Sequence, residues 1–232
     1  MILSFKDAFR LYTGRFEGVL LLSLTIVLPL LLGIWFLNNI VYFFVFDEFT
    51  SAIADFYYIF LTLSVLTIAQ VPFIEMVKIY AEEGEYKYRH IYYVFITTAF
   101  SIFLFAIAVS LAATVGTLFF IIPGLILLVF FFMAPYEAIL SGKSIWKSIK
   151  PSFAFAKKKF FPLLFIILLI SLVEIIIGWI GMYLIYSVTA SLLAQITVQM
   201  LLNLILFPFL SIWVAYYYLS WKEGHQLAPE AH

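Results

Sequence analysis

Phe119-Phe120-Ile121-Ile122-Pro123-Gly124, an apolar run to Leu140, Ser141-Gly142-Lys143, and a lysine-rich segment closing on Lys157-Lys158-Lys159-Phe160-Phe161-Pro162: the reading of this stretch decides the fold. In one piece the chain turns, crosses something oily, lays down a basic aromatic segment and enters the oil again. Upstream, from Ile91 to Leu140, the single charged side chain is Glu137. Those residues drawn out as one helix would measure about 75 Å, more than twice a bilayer core of about 30 Å. The run must fold back, and Gly116 with Pro123-Gly124 is the expected place.

Composition agrees. Hydrophobic residues fill 66% of 232 positions and charged residues 11%, against roughly half and about a quarter in soluble domains. A soluble chain of this length cannot cover so much apolar surface, so lipid is the solvent for most of it. The 27 phenylalanines and 15 tyrosines suit bilayer interiors and interfaces. Cysteine is absent, which excludes disulfides and thiolate metal sites. Met1-Ile2-Leu3-Ser4-Phe5-Lys6-Asp7 lacks the pattern of a cleaved signal, so the first span is expected to act as its own insertion signal.

The expected fold class is all-α: a polytopic transmembrane bundle of about six spans forming one integral membrane domain over 1–232. An amphipathic interfacial helix at 2–16 carries Ile2, Phe5, Phe9, Tyr12 and Phe16 on one face. Spans follow at about 18–40, 56–80, 92–115, 124–140, 160–186 and 190–219, with a basic interfacial segment at 142–159 before span five. Asn38-Asn39 is read as the far interface, Ile40 to Phe49 as an aromatic tail, and Pro151 as a break in the basic segment. With six spans all thirteen Lys and Arg fall on one side, while the opposite loops carry Asp47, Glu48 and Asp55. The positive-inside rule then places both termini in the cytoplasm.

A shift of 144 residues lays Phe5-Lys6 on Ile149-Lys150, Phe9 on Phe153 and Arg15-Phe16 on Lys159-Phe160. Pro72-Phe73 and Pro208-Phe209 recur in spans two and six, before Glu83-Gly84 and Glu223-Gly224. This reads as a parallel internal repeat, or as chance matching of low-complexity apolar sequence. Ile122-Pro123-Gly124, Ala134-Pro135, Glu137, Ser141-Gly142, Ser144, Trp146-Lys147-Ser148 and Lys159-Phe160-Phe161 carry a resemblance. In these residues the chain resembles the membrane domain associated with bacterial glycerophosphoryl diester phosphodiesterases and the related uncharacterised YciC-type membrane proteins. That resemblance implies a polytopic helical protein of the bacterial plasma membrane, in the context of lipid or envelope metabolism. It carries over no phosphodiesterase activity, because the catalytic barrel of such proteins is a separate soluble domain.

Glu174 falls near the middle of span five, where an ionised carboxylate facing lipid costs at least a few kcal/mol. It is expected to face the bundle, opposite a stripe on span six formed by Gln195, Gln199, Asn203 and Ser211. A hydrogen bond from Asn203 is the expected contact. Two readings stand: a proton- or substrate-binding site, or interhelical attachment for around 1 kcal/mol. For Glu75 and Glu137, local pairing with Lys78 and Lys143 or plain hydration is expected, with a functional role as the alternative. Lys143, Lys147, Lys150, Lys157, Lys158 and Lys159 are candidates for anionic lipid headgroups, or serve topology alone.

His90, His225 and His232 lie outside the spans and form no metal-ligand pair, so no metal or cofactor is expected. Phosphate-cradling glycine loops, a serine elbow and a soluble nucleic-acid surface are all missing from the sequence. The expectation is a non-enzymatic accessory or binding protein of the bacterial plasma membrane, engaging anionic lipid, a membrane partner or a second copy, and no nucleic acid. The rival is a small secondary transporter with a midplane site around Glu174.

Overall fold

A computed structural model describes residues 2–82, 87–119, 121–189 and 191–226. Glu83 to Tyr86, Phe120 and His232, which enter the expectations above, lie outside them. Among the described residues the regular structure is entirely helical. In chain order the helices are α1 (Ile2–Gly14), α2 (Phe16–Leu22), α3 (Leu28–Phe43), α4 (Glu48–Ala69), α5 (Val71–Ala81) and α6 (Tyr88–Phe119). Then come α7 (Ile121–Phe132), α8 (Ala134–Ser141), α9 (Ile145–Lys158), α10 (Phe160–Val188) and α11 (Leu192–Gln226). A π-helical turn, Ser23–Val27, joins α2 to α3 without ending the helix.

Among the described residues, five helical stretches are long and apolar enough to cross a membrane: Phe16–Phe43, Glu48–Ala81, Tyr88–Gly116, Phe160–Val188 and Leu193–Glu223. The sixth expected crossing, at 124–140, has a different form. Its helix is interrupted at Met133, and the piece Ile126–Ser141 is followed by α9 at a bend of 119°. Pro135 explains the interruption, because it cannot donate to the preceding turn and its ring crowds the carbonyl four residues back.

Several boundaries move for local reasons. Ile40 to Phe43 continue α3 instead of opening an interfacial tail. A reciprocal cap then starts α4: Thr50 N–H donates to Asp47 Oδ1 at 2.7 Å, and Asp47 N–H donates to Thr50 Oγ1 at 3.0 Å. The Thr50 N–H and the Thr50 hydroxyl, both donating to Asp47 Oδ1, hold that carboxyl below its ordinary range. Pro151 sits inside a continuous α9 and does not split it.

Pro123-Gly124 is not the turn. α6 runs past Gly116 to Phe119, and Pro123-Gly124 lies in the first turn of α7, where a missing N–H costs nothing. The glycines have another use. A side chain on Gly116 would stand 3.3 Å from Gly124 Cα, so this pair lets the backbones of α6 and α7 approach.

The chain divides into two compact units, Met1–Leu28 with Phe161–His232, and Pro29–Phe160. In the first, α1 lies along α11. Ser4, Ala8 and Leu11 are buried in that seam. Phe5 meets Trp213 at 4.9 Å between ring centroids, and Tyr12 donates to the Ile205 carbonyl at 3.0 Å. Phe9 and Phe16 stay exposed, so the aromatic face read from sequence is shared between protein and surroundings.

In the second unit α4 packs on α6, α6 on α7, and α5 on α8. The two short helices α5 and α8 each begin at a proline, Pro72 and Pro135. They are buried nearly all round: Val71 through Val77 and Ala134 through Leu140 are all inside. Two carboxylates ride on this most buried part, Glu75 and Glu137.

Candidate functional site

The ends of α5 and α8 and the starts of α6 and α9 enclose a cleft of about 440 Å³. Each ionisable side chain there is placed by a local device. Pro72 starts α5 and sets Glu75 one turn in, with Lys78 in its last turn. Pro135 starts α8 and puts Glu137 in its first turn, where the helix dipole favours a negative charge. Gly142 ends α8 in the left-handed conformation, φ 62°. The Lys143 N–H reaches back to the Ala138 carbonyl at 2.9 Å and the Gly142 N–H to that of Ile139 at 3.2 Å, a Schellman closure. This reversal carries the Lys143 ammonium to 3.5 Å from Glu137 Oε1. From the first turn of α6, His90 Nε2 reaches Glu75 Oε1 at 3.2 Å.

Burial is the main electrostatic feature. The Glu75 and Glu137 side chains are 3% and 4% exposed, whereas those of His90 and Lys143 are each 54% exposed. Glu137 has its local partner in Lys143. Glu75 feels the charge of Lys78, as expected, and is bonded as well by His90, which the sequence did not indicate. A buried carboxylate is tolerated only when a partner offsets its desolvation, and Lys143 for Glu137, with Lys78 and His90 for Glu75, are those partners. Among the described residues no three His, Asp or Glu side chains come together as metal ligands.

The expected midplane group is a smaller arrangement. Gln199 Nε2, not Asn203, donates to Glu174 Oε1, at 3.1 Å. Asn203 turns back along its own helix and donates to the Gln199 carbonyl at 3.0 Å, satisfying its amide within α11. Gln195 is half-buried a turn before Gln199, and Ser211 is buried with its hydroxyl on the Phe207 carbonyl. Close approach makes the contact possible: a side chain on Gly178 would meet Gln199 Oε1 at 3.4 Å, and one on Gly181 would meet Val198 Cγ1 at 3.0 Å. One amide donor on one carboxylate is a pattern that ties helices together.

The lysines of α9 occupy a face of their own. Lys147, Lys150, Lys157 and Lys158 are exposed and Lys159 is half-buried, while Ile145, Ser148, Ser152, Phe155 and Ala156 are inside. Ser148 and Ser152 return their hydroxyls to Ser144 and Ile149 carbonyls. Trp146 and Phe153 remain exposed beside the lysines. Phe153 stacks on Phe130 at 4.5 Å and Trp146 lies edge-on to Phe105 at 6.2 Å.

Helices of this length, with outward faces lined by residues such as Leu172, Ile175, Ile176, Trp179 and Ile180, define a multi-pass α-helical membrane protein, since water would not tolerate such a surface. No protein-family model matches the chain, and no curated protein or solved structure matches it at a significant level.

Proposed function

We propose that this chain is a non-enzymatic accessory protein of the bacterial plasma membrane, both termini cytoplasmic, that binds anionic lipid headgroups in the service of envelope or lipid homeostasis. The family resemblance carried by residues 122–161 agrees with that setting. The observation that carries the reading is α9. One of its faces is packed, and the other offers Lys147, Lys150, Lys157 and Lys158 to the surroundings with Trp146 and Phe153 beside them. Lysines next to aromatic side chains at a membrane surface attract anionic headgroups at about 1 kcal/mol each. A membrane partner or a second copy would be held through the apolar outer faces of the bundle.

The test compares the wild-type chain with a triple exchange of Lys157, Lys158 and Lys159 for Gln, both in nanodiscs of phosphatidylcholine and phosphatidylglycerol. Native mass spectrometry counts the phosphatidylglycerol retained around each. Three lysines at about 1 kcal/mol apiece predict a preference reduced on the order of 100-fold at low salt, with less difference at high salt. Equal enrichment around both proteins would sink the reading.

The transporter alternative draws on the Gln199–Glu174 contact. It requires Glu174→Gln to abolish a proton flux that the wild-type protein supports in liposomes.

A further inference from the structure

The cleft between α5, α6, α8 and α9 is lined by Lys78, His90 and Lys143 together with Glu75, whereas Glu137, bonded by Lys143, is not part of the lining. Both acids are nearly buried and already engaged, Glu75 by His90 and Glu137 by Lys143, whose own side chains are half-exposed. A cation would compete with His90 for Glu75 and with Lys143 for Glu137. An anion displaces neither. It adds a second negative partner to charges that the protein has already desolvated on their inner side, where each charge-assisted contact is at its strongest.

The start of α9 points the same way. Ser144, its N-cap residue, lines the cleft and does not cap the helix with its own hydroxyl. Ile145 lies beside it, so the positive end of a 14-residue helix opens on the same space as Lys78, Lys143 and the His90 imidazole. Thr97 and Thr98 also line the cleft, with their hydroxyl protons given to the Tyr93 and Val94 carbonyls at 2.8 and 2.7 Å. Their lone pairs are left to accept from a hydroxyl of the molecule that brings the anion. Val94, Ile102 and Ile139 supply apolar wall. At about 440 Å³ the volume suits a small molecule or a headgroup.

We propose that this cleft binds a single phosphate group, held by Lys143, Lys78 and His90 with Ser144 at the start of α9. A phosphomonoester lipid, whose glycerol would lie along the apolar wall, and free phosphate share this chemistry. The site rests on the lipid-binding reading above only for the lipid as source.

The full chain in phosphatidylcholine nanodiscs carrying a small fraction of phosphatidic acid tests the proposal, with bound phosphatidate counted by native mass spectrometry. One phosphatidate per chain should survive salt that strips lipid from the α9 lysines. Lys78→Gln with Lys143→Gln should weaken it roughly tenfold or more for each charged hydrogen bond lost. If that variant does not fold because Glu137 has lost its partner, Glu137→Gln with Lys143→Gln removes the pair as neutral isosteres. Ser101→Phe keeps every charge and fills the space.

A second arm titrates inorganic phosphate into the protein in pure phosphatidylcholine. Saturable binding that Ser101→Phe abolishes assigns free phosphate as the source, whereas a tightly held phosphatidate without it assigns the lipid. Neither ligand binding saturably, or binding that persists in both the charge and the filling variants, overturns the site. The α9 reading fails separately: its triple exchange would leave phosphatidylglycerol enrichment unchanged without touching the count in the cleft.

Discussion

Gly142 gives the sharpest test of how the cleft is built. It adopts φ 62° at the end of α8, and a side chain there would meet no atom within 4 Å. Any cost of substitution therefore comes from the backbone and not from collision. The left-handed conformation penalises an L residue by roughly 1–2 kcal/mol. The lost flexibility of the unfolded chain returns less than that, about 0.4–1 kcal/mol. Gly142→Ala is expected to destabilise by about 1 kcal/mol, Gly142→Asn by less because asparagine visits this region, and Gly142→Val by more.

Gly33 is the matching control, since a side chain on it also meets nothing within 4 Å but it sits inside helix α3. Gly33→Ala should be neutral or stabilising by up to about 1 kcal/mol. Reversible unfolding in mixed detergent micelles, followed by circular dichroism, reads all four variants. Gly142→Ala and Gly33→Ala shifting stability in the same direction would refute the Schellman account, and with it the explanation of how Lys143 returns to Glu137.

Three further outcomes follow from the geometry. Gly181→Leu forces α10 from α11, since even a Cβ would stand 3.0 Å from Val198 Cγ1; a loss of about 1–3 kcal/mol in the same unfolding assay is expected, and a neutral result would deny the close approach. Glu174→Gln keeps an acceptor for Gln199 and should change stability by no more than about 1 kcal/mol with lipid retention intact; a larger loss would show that the charge itself matters. Asp47 has a folded carboxyl pKa below its unfolded one because Thr50 bonds the ionised form, so its contribution is present above the unfolded pKa and fades as pH falls through the folded one. Asp47→Asn should flatten that acid limb in a pH series of melting temperatures, and an unchanged limb would assign it to other carboxylates.

The fold was legible because lipid imposes one kind of order that composition reveals: long apolar runs, interrupted where charge collects. The amphipathic α1 and α9 were legible for the same reason. Proline was read less well. Pro123 and Pro151 look like breakers in the sequence but ride within helices, the first in an opening turn where its missing N–H is harmless. Pro72 and Pro135, by contrast, start the two short helices that position the acids. Gly116 and Gly124 were read as turn residues, whereas their smallness serves a helix crossing, which no local pattern encodes.

Among the candidate residues, Glu174 was found by depth alone, and its partner was misassigned by one turn, about 6 Å along the same face of α11, because counting in from the span ends does not fix axial depth that closely. The cleft was missed for a different reason. Glu75 and His90 lie on different helices, and proximity in sequence favoured Lys78. A signal did exist: Pro72 precedes Glu75 and Pro135 precedes Glu137 at nearly the same interval, each at the start of a short segment ending near a basic residue.

Burying two carboxylates on the two most enclosed helices is a poor way to make a bundle stable. An ion pair taken out of water is commonly no better than apolar side chains of similar volume, and often worse. Stability alone would favour apolar side chains at 75 and 137, like the Ile, Val, Met and Leu found elsewhere on those helices. What the acids do achieve is positional. Each bonds a half-exposed donor that lines the cleft, Glu75 the His90 imidazole and Glu137 the Lys143 ammonium, so that the donors are oriented before any ligand arrives. Pre-ordering of this kind lowers the entropic cost of binding and adds nothing to the free protein. The Glu137→Gln with Lys143→Gln exchange separates these roles, because folding should tolerate it while phosphate binding should not.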